Sequence, residues 1–190
     1  MNMEDRAVSD SWVDDVLNFW FNELTHEDWF RGDEKLDEKI RDRFLELYEQ
    51  QKRSFRVDAA NDPRTALAAV ILFDQFSRNL YRRQSAAFGT DDLALGIARR
   101  ALDKGFDAEM SMDEKPFIYM PFMHSEILAD QERCVDLFRA QDNENSLKYA
   151  IEHRDIIARF GRFPHRNRAL GRETTPDEQA FLEGHAGYGQ

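Results

Sequence analysis

The residues best suited to chemistry gather near the end of the chain, in Phe160-Gly161-Arg162-Phe163-Pro164-His165-Arg166-Asn167. Between Arg154 and Arg172 there are six Arg and no Lys, with Asp155 inside the stretch and Glu173 at its edge. A guanidinium is a planar fork of N–H donors, so Arg162 and Arg166 suit a carboxylate or phosphate, or an acid of the chain itself. Other polar groups fall where apolar ones are expected. His124 and Gln131 lie on the stripe His124, Leu128, Gln131, Val135, Phe138, and His153 lies on Ala150, His153, Ile157, Phe160. Unpaired polar groups on such faces are costly, so each needs a partner. Asp74 and Arg78 stand one helical turn apart beside another apolar stripe, placed to pair with each other or across to a second element.

Three chemistries are open to these residues. A metal could draw on His124, Glu126, His153 and His165, but two ligands on one helix want i, i+3 or i, i+4 spacing. His124 and Glu126 are i, i+2 and diverge, so no metal is expected. A nucleophile could come from Ser125 or Cys134. The serine lies in no nucleophile-elbow pattern, and the cysteine falls near an apolar helix face. Glycine-rich phosphate loops are missing as well, and no cofactor is expected. The third chemistry is a pocket for a small anionic or polar ligand, with Arg162 and Arg166 as donors and His165 and Asn167 beside them. His124 and His153 would face it from neighbouring helices, and Asp74 with Arg78 would form another wall. The competing reading is a buried polar network in which Asp74 and Glu126 neutralise the arginines. An enzyme using His124 with Glu126 or Asp74 as an acid/base pair is a further possibility.

The elements that must position these groups all read as helices. Ser11 is placed to cap a first helix to about Leu24, rich in aromatic residues. Asp33 caps a long amphipathic helix to about Val57, with Leu36, Ile40, Phe44, Leu47, Gln51 and Phe55 on one stripe. Asp62-Pro63 starts a helix to about Arg82. Gly89-Thr90-Asp91 reads as turn and cap, and Gly105 as a left-handed stop. Ser111 to Glu114 is a capping box, and Pro121 predicts a kink or restart in a helix continuing to about Ala140. A helix from about Asn145 to Phe160 ends at Gly161, and Thr175-Pro176-Asp177-Glu178 opens the last one. No strand-like alternation occurs. The fold class is therefore all-α, with seven to eight mostly antiparallel helices in a bundle or helical stack.

Composition narrows the setting. At 190 residues the chain is expected to form one domain over 1–190, with 1–10 and 184–190 frayed. The net charge of −11 would repel phosphate over most of the surface, which argues against nucleic acid as a partner. Arg nevertheless outnumbers Lys by 20 to 6. The single Cys134, an acidic start without a basic or apolar leader, and no apolar run near ~20 residues predict a cytoplasmic protein off the membrane.

Five segments together resemble the domain-of-unknown-function family number 924, found in bacteria. They are Leu17-Asn18-Phe19-Trp20-Phe21, Phe73-Asp74-Gln75-Phe76-Ser77-Arg78-Asn79, Pro121-Phe122-Met123-His124-Ser125-Glu126, the Phe160–Asn167 stretch and Leu170-Gly171-Arg172. Ser77 departs from the family pattern, where proline is common, which bears only on local geometry. The resemblance implies an all-helical fold related in shape to tetratricopeptide-like stacks, and no activity. It adds Asn79, Gln75 and Ser125 to the polar residues already singled out, which are Asp74, Arg78, His124, Glu126, Arg162, His165, Arg166 and Asn167.

Overall fold

The computed structural model describes residues 3–141 and 143–185, with side chains from residue 11 onward. The chain runs through α1 (Met3–Asn18) into a π-helical turn (Phe19–Glu23), then α2 (His26–Phe30) and α3 (Glu34–Ser54). Next come α4 (Pro63–Val70), a π-helical segment (Ile71–Phe76) and α5 (Ser77–Leu80), followed by α6 (Asp91–Asp103). It ends with α7 (Lys115–His124), α8 (Leu128–Ala140), α9 (Glu144–Phe160) and α10 (Pro176–Gly184). Eight of these α-helices have seven residues or more, and no strand occurs among the described residues, so the fold is all-α as expected.

Most boundaries follow from the end signals. The Asp33 and Asp62 carboxylates accept from the N–H groups of Lys35 and Thr65, satisfying donors that a helix start leaves without partners. Thr175 and Glu178 close a reciprocal capping box. Gly105 and Gly161 adopt φ of 71° and 67°, a left-handed stop that suits a residue without Cβ. Three expectations are corrected. Ser11 lies inside α1, which already begins at Met3. The helix read through Pro121 to Ala140 is two helices, because α7 accommodates Pro121 and ends at His124. Thr90 does not cap α6 with its side chain. Of the ends expected to fray, residues 1–2 and 186–190 lie outside the described residues, as do the side chains of 3–10.

The core explains why the centre of the chain is fixed. Leu36, Ile40, Phe44 and Tyr48 of α3 are buried, each contributing roughly 1.5–3 kcal/mol. Phe76 of the π-helical segment packs against Phe19, Trp20 and Phe44 at centroid distances of 5.9, 5.6 and 4.8 Å. Phe73, from the same segment, meets Phe55 at 5.6 Å and Tyr48 at 6.2 Å. Two aromatic anchors thus clamp the segment on either side of Asp74. α4 packs on α1, α6 and α7, and α7, α8 and α9 all pack on one another. A smaller cluster of Ile156, Ile157 and Phe163, with Phe160 and Phe181, ties the loop after α9 to α10. Among the described residues, no helix is long and apolar enough to cross a membrane.

Candidate functional site

The widened π-helical segment, Ile71–Phe76, leaves backbone carbonyls that side chains take up. Thr90 Oγ1 donates to the Phe73 carbonyl at 2.7 Å, and Arg78 Nη1 to the Asp74 carbonyl at 2.6 Å. Such turns recur at functional sites because they re-aim a side chain out of helical register. Here the side chain is Asp74, fully buried. Its carboxylate lies 2.7 Å from His124 Nδ1, 2.6 Å from the Gln75 amide nitrogen and 3.3 Å from Arg78 Nη1. Burial alone pushes the Asp74 carboxyl up, but the His124 ring and the Arg78 guanidinium outweigh it and hold it at about 2. Burial, and then Arg78, push the His124 imidazole down. An ionised carboxylate only accepts, so Nδ1 carries the proton and Nε2 is the acceptor of a neutral ring.

Two guanidiniums frame this pair. Arg78 holds Asp91 through both terminal nitrogens, at 3.0 and 3.1 Å. Arg166 reaches the same Asp91 at 3.4 Å and donates to the His124 carbonyl at 3.0 Å. The latter bond places a cation on the carbonyl end of α7, where the helix dipole favours it. Gln131 serves the same end, donating to the carbonyls of Met123 and Ser125 at 2.7 and 2.6 Å. Arg166 also lies 4.6 Å from the centroids of both Phe88 and Phe163. Burial pushes its guanidinium down to about 10. The Nε atoms of Arg78 and Arg166 are both buried without a hydrogen-bond partner.

A second cluster lies behind the loop after α9. Glu126 accepts from both terminal nitrogens of Arg172 at 2.8 Å and from the Phe163 N–H at 2.9 Å. Arg162 grips Glu178 at 2.7 and 2.9 Å and also donates to the Glu173 carbonyl. Asn167 adds a bond to Glu178 at 3.2 Å. The Arg162 hydrogen bond is the main cause holding the Glu178 carboxyl down at about 2.

A family model for bacterial proteins of unknown function, DUF924, matches residues 16–186. The chain belongs to the DUF924 family. A solved structure of a protein of unknown function from Agrobacterium tumefaciens is similar to it, with 38% identity and a TM-score of 0.87. That match covers 93% of this chain and 99% of the other. No curated protein matches.

The DUF924 motifs meet in space only in part. Asp74, Arg78, His124 and Arg166 form one cluster, and Glu126, Arg162 and Asn167 belong to the other. His153 is buried beside Phe163, its Nδ1 bonded to the Tyr149 carbonyl at 2.8 Å, and His165 lies 5.3 Å from the same ring. Asn79 points elsewhere, to Asp37 at 2.8 Å, next to the Arg82–Asp37 pair. Ser125 bonds Asp130 at 2.7 Å. The expected partners of the arginines need correction. Asp74 does meet Arg78, but Glu126 takes Arg172, while Arg162 finds Glu178 and Arg166 finds Asp91. In the sequence Asp91 and Glu178 read only as helix-start acids, and nothing there marks Phe88. His124 ends α7 and Glu126 lies in the turn after it, so helical spacing does not govern the two; His124 pairs with Asp74 and Glu126 with Arg172. Cys134 is fully buried, and burial raises its thiol far above the ordinary range.

Proposed function

We propose that the protein binds a small anionic or polar molecule where His124 and Asp91 reach the surface above Arg78 and Arg166. The observation that carries this reading is the sharing of one carboxylate, Asp91, by two buried guanidiniums whose Nε–H groups have no partner. Unpartnered buried donors cost about 1–3 kcal/mol each, a cost that ligand oxygens would offset. The Asp74-oriented His124 ring would accept a hydrogen bond from the ligand through Nε2, or a proton if chemistry follows. Charge-assisted binding by arginine fits the acidic, nucleic-acid-repelling character of the rest of the surface. We also infer a cytoplasmic setting, since the single Cys134 has no second cysteine with which to form an internal disulfide.

The test is a melting-temperature screen of the whole chain against inorganic phosphate and small carboxylates. A ligand at a hundred times its Kd adds about 2.7 kcal/mol, which raises the Tm by several degrees. His124→Gln should shrink that rise. A panel that moves nothing refutes the reading.

A second reading, a protein-interaction scaffold whose polar groups only fix the fold, draws on a different observation. Ile127, Leu128 and Tyr149 are large apolar side chains left exposed on α8, α9 and the turn before α8. It predicts that small anions leave the Tm unmoved, while Ile127→Ser with Leu128→Ser leaves stability unchanged and weakens partner binding.

A further inference from the structure

Resting on the ligand reading above, we propose that the ligand is a small monocarboxylate and that Asp91 is its intramolecular competitor. In the structure Asp91 is seated as a bound carboxylate would be. One oxygen lies 3.0 Å from Arg78 Nη1, the other 3.1 Å from Arg78 Nη2 and 3.4 Å from Arg166 Nη1. The two-pronged contact is the one a guanidinium fork makes with a carboxylate.

Charge selects the class. Asp74 and Asp91 balance Arg78 and Arg166, and His124 is neutral. With Asp91 turned outward, the cluster carries one net positive charge. That matches a single carboxylate and not a phosphate dianion.

Exposure selects the residue that moves. The Asp91 side chain is 19% exposed, against 10% for Arg78, 6% for Arg166 and none for Asp74. It can therefore rotate into water without crossing the core. Asp91 is also the first residue of α6, whose opening turn no side chain caps. Turned outward, its charge stays in the first turn, where the helix dipole continues to favour it. The displaced CH₂–COO⁻ leaves room for an acetate-sized group between the two guanidiniums, with Phe88 and Phe163 alongside Arg166 as an apolar wall.

The experiment compares wild type and Asp91→Ala by calorimetric titration and melting, using sodium acetate, inorganic phosphate and chloride at equal ionic strength. Acetate is expected to bind Asp91→Ala at least tenfold more tightly than wild type and to restore its lowered Tm, while phosphate and chloride do neither. Should Asp91→Ala not fold, Asp91→Asn keeps the shape without the charge, and the same tenfold gain is expected. Equal acetate affinity in wild type and variant overturns the competitor role while leaving a ligand site standing. Restoration by phosphate in preference to acetate overturns the carboxylate class. Acetate binding to the variant, with no member of the wider panel binding wild type, makes Asp91 a permanent partner and overturns both this inference and the ligand reading.

Discussion

Arg162 and Arg166 stand four residues apart in one loop, yet their surroundings push them in opposite directions. Arg162 closes a two-bond pair with Glu178 and fills a third site on the Glu173 carbonyl. The hydrogen bond to Glu178 raises its guanidinium above the ordinary value. Arg166 shares Asp91 with Arg78 at a longer distance, and burial between Phe88 and Phe163 lowers it. Phe163 joins the two, since its N–H donates to Glu126 while its ring lies beside Arg166. The same motif thus supplies a latch in which Glu178 takes up both Nε and Nη2 of Arg162 and ties α10 to the loop, and a cluster in which Arg166 Nε has no acceptor. Arginine count alone does not distinguish them. Whether each donor finds an acceptor does: the Nε of Arg162 bonds Glu178, whereas the Nε of Arg166 has no partner.

The largest expected effect lies in the unsaturated cluster. Asp74→Ala removes a fully buried carboxylate that meets His124, Gln75 and Arg78, leaving polar groups stranded beneath the π-helical segment. Breaking a buried pair in this way costs about 3–5 kcal/mol, read as a lower urea midpoint at unchanged slope. A loss below about 1 kcal/mol would mean that the cluster is not what joins the centre of the chain to α7.

The second effect separates the regions by acid. His153 faces the Phe163 ring from α9, near Arg166, Glu152 and His124, and burial lowers its pKa from 6.5 to about 4. A histidine kept neutral in the fold contributes stability above pH 6.5, and that contribution is lost as pH falls towards 4. By linkage the loss is on the order of 3 kcal/mol. His153→Phe should flatten the stability-versus-pH curve between those values. Glu178, already ionised down to about 2, gives way only at lower pH. An unchanged slope in His153→Phe would shift the acid response to His165 or His124.

How much of this was legible in the residues depends on the range of each interaction. The all-helical class, the Asp33, Asp62 and Thr175 caps and the Gly105 and Gly161 stops are local, and periodicity and capping chemistry reveal them. The Asp74–Arg78 pair is one turn apart and equally readable. Asp91 with Arg166, Glu178 with Arg162 and Glu126 with Arg172 span many residues, and only the packing of α6, α7 and α10 decides them. Asp91 and Glu178 were hidden by an adequate local explanation as helix-start acids. Pro121 misled because α7 absorbs it, while the real break comes three residues later, where Gln131 and Arg166 satisfy the helix end. The π-helical segment that holds Asp74 has no signal in composition or spacing.

The smallest effect tests whether the latch is as self-contained as its pairing suggests. Thr175 Oγ1 accepts from the Glu178 N–H, and the Glu178 carboxylate returns a bond to the Thr175 N–H while holding Arg162 and Asn167. Thr175→Ala deletes the first of these bonds and leaves the others in place. Loss of such a cap costs about 1 kcal/mol, measurable by urea denaturation. A latch independent of the other cluster predicts that the acetate response of Asp91→Ala is unchanged when Thr175→Ala is added, because the two stability losses then sum. A response altered by more than about 0.5 kcal/mol would show that the loop transmits strain through Phe163, and the two regions would have to be treated as one network.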